Sequence, residues 1–238
     1  MSKVEYEKFL ESYSEFLDKN LGKDEKTGKE KKYNLYGPIT EKYWDSYPKI
    51  AVFNLESYND DYIGVRKVDI EIIKGWIGNR TIRNTGTVVA GIFNGYENSR
   101  DTRERDLREF RKKTKNIQSS LEKISYLNFR VTDNLNKSKR VDRDSIWKEL
   151  KLTKDYLRKQ ISILKPDIIL VGGRDGADMI NYVLNLEPKL KFSDHIIHEN
   201  MFISSFYHFS GFGIPFRWYF HSKKKINEIL EFLKVRGS

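Results

Sequence analysis

The sequence predicts an α/β fold with a mostly parallel central sheet sandwiched between helices. Short β-prone apolar runs alternate along the chain with amphipathic helical stretches. The runs are apolar throughout, as strands buried on both faces are. Parallel strands need crossover connections that return along the sheet face, which puts helices on both sides. With 238 residues, one substantial core is expected, hence one domain over residues 1–238.

Tyr6, Phe9, Leu10, Tyr13, Phe16 and Leu17 recur at helical spacing and predict an N-terminal amphipathic helix. Lys23 to Lys32 is almost devoid of apolar residues and reads as a mobile surface loop. The first core strand is expected at Pro48 to Asn54. From Tyr62 to Asn98 the apolar residues follow no clean period, and Gly75, Gly78, Gly86, Gly91 and Gly95 interrupt any helix. Leu107, Phe110, Ile117 and Leu121 predict one basic-faced helix between Asp101 and Lys123. A strand over Ile124 to Thr132, a helix carrying Trp147 to Leu164 and ending before Pro166, and a strand over Asp167 to Gly172 follow. The Gly-rich turn Gly172 to Gly176 leads into a helix through Ala177, Ile180 and Leu184. Met201 to Tyr207 is a last strand, and Ile226, Ile229, Leu230 and Leu233 mark a closing helix.

The chain holds 44 Lys and Arg against 34 Asp and Glu, a formal net charge of +10, which attracts polyanions. The many Lys, Asn and Ile residues also fit an AT-rich genome. The absence of cysteine excludes disulfides, thiol nucleophiles, Cys-ligated zinc and cysteine-bound iron–sulfur clusters. No apolar run approaches the ~20 residues of a membrane helix, and Met1 to Lys8 lacks a signal peptide's apolar core. A cytoplasmic protein that meets nucleic acid rather than membrane is expected.

Parallel sheets bind ligands at the strands' carboxyl ends, and three such ends carry polar residues. In Phe53-Asn54-Leu55-Glu56-Ser57-Tyr58, Glu56 leaves the strand; a carboxylate there can orient or deprotonate water, or be a solvated loop acid. Asn128 sits in Tyr126 to Thr132 as an amide inside an otherwise apolar strand. Its donor and acceptor suit a nucleobase edge or, alternatively, neighbouring backbone. In Ser204 to Phe212 the strand delivers His208 into a glycine-containing turn, where an imidazole either stabilises developing negative charge or serves structure.

Taken in order, these three segments resemble the uracil-DNA glycosylase superfamily. Phe53 to Tyr58 is similar to its Gly-Gln-Asp-Pro-Tyr motif, with Glu56 at the acidic and Tyr58 at the aromatic position. Leu127-Asn128 with Val131-Thr132 resembles Leu-Leu-Asn-x-x-Leu-Thr, and His208 to Phe212 resembles the His-Pro-Ser-Pro-Leu loop. Asn54, Ser57, Phe209 and Gly211 depart from the family's glycine and prolines, and Glu56 replaces a shorter Asp. The resemblance implies a three-layer αβα sandwich, a glycosylase-like core over 48–238 behind an N-terminal helix and loop over 1–47, and excision of a base flipped out of DNA. Asn128 would read the base, Glu56 position water, His208 stabilise the departing base, Tyr58 close the pocket, and Trp76 (or Phe93) stack. Ser210, Phe212 and Arg174 would contact DNA, in duplex or single-stranded form, with Phe212 as a wedge. No metal or cofactor is implied, and the role would lie in repair or in defence against foreign DNA.

Other patterns are weaker. His195 and His198 would point to opposite faces of a strand, and the Gly172 turn lacks the P-loop ending. Asp69, Glu71 and Lys74 miss a metal-nuclease spacing by one residue. Arg100 to Lys115 carries eight basic residues against four acidic, which fits a DNA-tracking face or a solvated helix. The rival to an enzyme is a non-catalytic nucleic-acid or nucleotide-binding module on the same fold.

Overall fold

The computed structural model describes residues 3–21, 33–55, 65–67, 71, 75, 79–132, 143–207, 209 and 215–237. Its strands are β1 (Tyr33–Leu35), β2 (Gly37–Pro38), β3 (Ile50–Asn54), β4 (Val65–Lys67), β5 (Ile124–Asn128), β6 (Ile168–Gly172), β7 (His195–His198) and β8 (Met201–Phe206). Its helices are α1 (Lys3–Leu21), α2 (Lys42–Asp45), α3 (Arg80–Glu97), α4 (Glu104–Lys112), α5 (Thr114–Leu121), α6 (Arg143–Leu164), α7 (Gly173–Leu184) and α8 (Pro215–Gly237). The fold is α/β, built on a mixed, open six-stranded sheet in the order β2-β5-β3-β6-β8-β7.

The four inner strands run parallel and both edges run antiparallel, which corrects the expectation of a mostly parallel sheet. The edges have local causes. β7 and β8 are joined by Glu199 and Asn200, both at positive φ (48° and 67°), a two-residue hairpin turn that only antiparallel strands can share. At the other edge β2 contains Pro38, which has no N–H to give to a further strand. β1 and β4 form a separate parallel pair.

Every residue of β3, β5 and β6 is buried, which is why these strands stand out in the sequence as unbroken apolar runs. Helices α3, α4, α5 and α8 pack on one another, and α1 packs on α6, which in turn meets α7. Tyr13 of α1 stacks on Tyr156 of α6 at 4.9 Å between ring centroids, so the apolar stripe of α1 finds its partner there. Gln160 of α6 donates to the Tyr36 carbonyl (2.6 Å) and to the Tyr6 hydroxyl (2.7 Å).

Two helical expectations need correction. The glycine-broken segment before Asn98 contains an 18-residue helix, α3, and its glycines are contact points. A Cβ at Gly86 would lie 2.4 Å from Ile117 Cγ2, one at Gly91 2.8 Å from Leu107 Cδ2, and one at Gly95 2.4 Å from Leu230 Cδ1. Close packing against α5, α4 and α8 outweighs the roughly 1 kcal/mol that glycine costs a helix. The single basic helix expected after Asp101 is two helices, divided at Lys113, where the backbone is extended (φ −100°, ψ 95°). Leu107 points into the core from one, Ile117 and Leu121 from the other.

The Gly172 to Gly176 turn is shorter than expected, since α7 begins at Gly173 directly after β6. The loop expected at Lys23 to Lys32 lies outside the described residues. Among the described residues no helix is long and apolar enough to cross a membrane.

Candidate functional site

The parallel strands β5, β3, β6 and β8 end at Asn128, Asn54, Gly172 and Phe206, all on one edge of the sheet. In the β3–β5 register Asn54 pairs with Asn128. Paired residues of neighbouring strands project to the same face, so the two amides emerge side by side. Asn128 is thus the last residue of its strand, a correction to its expected place within a longer one. Both side chains are buried, at 4% and 2% exposure. Among the described residues, Asn54 Nδ2 and Oδ1 and Asn128 Oδ1 have no hydrogen-bond partner. Each such buried group costs about 1–3 kcal/mol, and folded chains leave few of them.

A third asparagine reaches the same edge from α3. Asn84 is 2% exposed, its Nδ2 donates to the Phe209 carbonyl at 2.6 Å, and its Oδ1 has no partner among the described residues. Phe209, fully buried, lies against Gly172: a Cβ there would be 2.9 Å from Phe209 Cδ2 and 3.7 Å from Asn54 Oδ1. The chain after β8 therefore folds back over the end of β6 toward Asn54, through space that only glycine leaves open. Asn54 and Asn84, two buried amides with unmet hydrogen-bonding capacity, border this crossing, and Asn128 stands beside Asn54 on the next strand.

The segment after Asn128 is held firmly. Phe129 N–H donates to the Asn54 carbonyl (3.0 Å) and Arg130 N–H to the Leu55 carbonyl (3.1 Å). The buried Glu149 carboxylate of α6 accepts from the N–H groups of Val131 and Thr132 and from the Thr132 hydroxyl. Arg130 Nε lies 3.7 Å from Glu149 Oε2 and donates to Thr132 Oγ1 at 2.9 Å. This part of the Leu-Asn…Val-Thr motif is a clasp around one carboxylate.

Beyond β8, Tyr207 is half-exposed and its ring meets the His221 imidazole at 4.3 Å. Burial, and then the charge of Lys225, push the His221 imidazole down to about 4, so it is neutral near pH 7. Phe192 meets Tyr207 at 5.3 Å, and the Arg174 guanidinium lies 5.8 Å from the Phe192 ring centroid. Arg174 is exposed in the first turn of α7, at the same edge as the asparagines.

Of the residues singled out from sequence, Asn128 and Arg174 are therefore at the carboxyl edge. Glu56, Tyr58, Trp76, His208, Ser210 and Phe212 lie outside the described residues, as do Asp69 and Lys74. Phe93, the second choice for stacking, is buried in α3 beneath Lys123, whose ammonium is 4.9 Å from the ring centroid. His195 stacks on Phe202 at 4.7 Å and faces Glu228, while His198 lies by Glu199.

Sequence reasoning missed Asn54 as a partner of Asn128, and missed Asn84. The available signal was a polar Asn84-Thr85 pair within a stretch whose helical period the glycines obscured. It also missed a surface hollow of about 380 Å³ lined by Arg83, Arg108, Arg111, Lys112 and Tyr219. Asn54 and Asn128 are not in its wall. No known family model matches the chain, and no curated protein matches it.

Proposed function

We propose that the chain is a DNA glycosylase that cleaves the N-glycosidic bond of uracil or another altered base flipped out of DNA. The observation that carries this reading is the Asn54–Asn128 pair, two buried amides with unsatisfied atoms at the carboxyl edge of a parallel strand pair. Unmet buried hydrogen-bonding groups reward a ligand that matches them and reject one that does not. A base edge, with donors and acceptors side by side, is such a ligand.

In this reading Asn128 binds the base edge, Glu56, two residues beyond Asn54, positions water, and His208, two residues beyond Phe206, stabilises charge on the departing base. The bond between the base nitrogen and the sugar carbon breaks, water oxygen bonds to that carbon, and the base leaves with a proton. Water is the only co-reactant. The return of Phe209 over Gly172 supports convergence of the third segment on the first two. The two groups of packed helices support a three-layer αβα arrangement, and the lack of a membrane-crossing helix among the described residues is compatible with a cytoplasmic setting.

The test uses oligonucleotides carrying uracil or other altered bases, single-stranded and duplex. Alkali-labile abasic sites are expected with the unaltered protein and strongly reduced with Asn128→Ala. DNA that is retained but unchanged across a broad panel of bases would make the chain a binding module instead.

A further inference from the structure

We infer that the hollow between α3, α4 and α8 is a phosphate-binding site that grips the nucleic-acid backbone beside the amide cluster. The inference rests on the DNA reading above for its partner, though not on catalysis. Arg83 comes from the first turn of α3, Arg108, Arg111 and Lys112 from the last turns of α4, and Tyr219 from the start of α8. Arg83 directly precedes Asn84, which holds the Phe209 carbonyl. The hollow and the amide cluster are thus served by one turn of α3.

The hollow's chemistry is that of an anion site. The Arg108 guanidinium lies 4.4 Å from the centroid of the Tyr219 ring and donates through Nε and Nη2 to Glu104. Held on two sides, it is oriented in advance, and a guanidinium has five N–H donors, so several remain for a ligand. Arg111 donates to the Tyr219 hydroxyl at 3.4 Å and lies 5.9 Å from the Trp218 ring. None of the ion pairs found among the described residues engages Arg111. Among the described residues Lys112 pairs only with the exposed Glu109, a contact worth little in water.

The basic run of α4 therefore divides. Its acids Glu104 and Glu109 each answer one cation, Asp106 turns to Arg100 and Arg103, and among the described residues no carboxylate pairs with Arg111, which faces the hollow. The planar guanidinium of Arg111, unmatched by a carboxylate among the described residues, fits phosphate oxygens. Ligand identity follows from the nucleic-acid reading above, to which the hollow is tied by the adjacency of Arg83 and Asn84 in one turn of α3.

The experiment measures binding of a fluorescent single-stranded and a duplex oligonucleotide without altered bases, as a function of salt. Arg111→Gln and Lys112→Gln are each expected to weaken binding by up to about tenfold and to flatten the dependence of log K on log salt by about 0.7 to 0.9 per lost contact. Lys151→Gln, an equal charge change on the exposed face of α6, should change neither. Lys112 is largely exposed, so its variant tests the site even if Arg111→Gln does not fold. Equal effects from all three variants would reduce the hollow to general charge and overturn the site. Inorganic phosphate binding at the hollow with unchanged DNA affinity in the variants would assign it to a free anion and overturn the backbone reading. Binding is scored on unmodified DNA, so absent excision by the unaltered protein overturns the glycosylase reading alone.

Discussion

Asn54 and Asn128 end adjacent parallel strands in direct register, both buried, with three of their four amide N and O atoms lacking a hydrogen-bond partner among the described residues. Such a pair is a stability deficit in the free protein, and the deficit is the simplest sign that the edge is shaped for something else.

That deficit is measurable. Replacing Asn54 or Asn128 by Leu removes polar atoms that cost about 1–3 kcal/mol each when unpaired. Each variant should melt at the same temperature as the unaltered protein or higher, while abasic-site formation falls by at least about a hundredfold. A lower melting temperature in both would make the amides structural.

Gly172 permits the Phe209 crossing, so Gly172→Ala should dislodge that segment. A Cβ there meets Phe209 Cδ2 at 2.9 Å, and the expected result is lost excision with stability reduced by about 1–3 kcal/mol. Retained activity would show that the crossing does not shape the pocket.

In α3, glycine-to-alanine substitution should run against helix propensity. Gly86→Ala places a methyl 2.4 Å from Ile117 Cγ2 and should lower stability by about 1–3 kcal/mol rather than raise it by ~1. Adding Ile117→Ala should relieve part of that loss. Urea unfolding of the two single variants and the double variant closes the cycle.

Glu149 accepts from the N–H groups of Val131 and Thr132 and from the Thr132 hydroxyl, and pairs in charge with the neighbouring Arg130. Glu149→Ala takes the acceptor from two buried N–H groups and a buried hydroxyl, and should cost about 3–5 kcal/mol. The check is the shift in denaturant midpoint, with Glu149→Gln retaining part of the clasp through its amide oxygen.

Acid sensitivity has a specific origin in His221. Its folded pKa is lowered to about 4 from an ordinary 6.5, so between those values the unfolded chain binds more protons. Stability is fully present above pH 6.5 and falls as pH drops toward 4, with a slope of at most about 1.4 kcal/mol per unit. Asp106 adds a lower window. Against the upward pull of burial, Arg100 and Arg103 hold its carboxyl at about 2 instead of 3.8, so its contribution is present above pH 3.8 and lost toward 2. Melting curves of His221→Phe should show a shallower decline between pH 6.5 and 4.

Much of the sheet was legible because β3, β5 and β6 are buried on both faces and therefore uniformly apolar. The antiparallel edges were not, since a two-residue strand at Gly37–Pro38 and a hairpin turn of Glu199 and Asn200 carry little local signal. Helix α3 hid behind glycines whose reason is tertiary. In the site, Asn128 could be read as a polar residue after an apolar run. Asn54 looked like a departure from a motif until register set it beside Asn128, and Asn84 belongs to a helix that periodicity concealed. Nothing local in Arg108 and Arg111 shows that Tyr219, more than a hundred residues away, completes their hollow.

Helix α6 carries Glu149 near one end and Gln160 near the other, and the second ties it to Tyr6 and Tyr36. Of the first 47 residues, those described, 3–21 and 33–47, are thereby a buttress rather than an appendage. Cutting them away bares the aromatic seat of Tyr156 and loosens the beam from which the loop after Asn128 hangs. The fidelity with which that loop presents its asparagine is set, in part, about sixteen ångströms along the helix from Glu149, and also directly, where Asn34 N–H donates to the Val131 carbonyl.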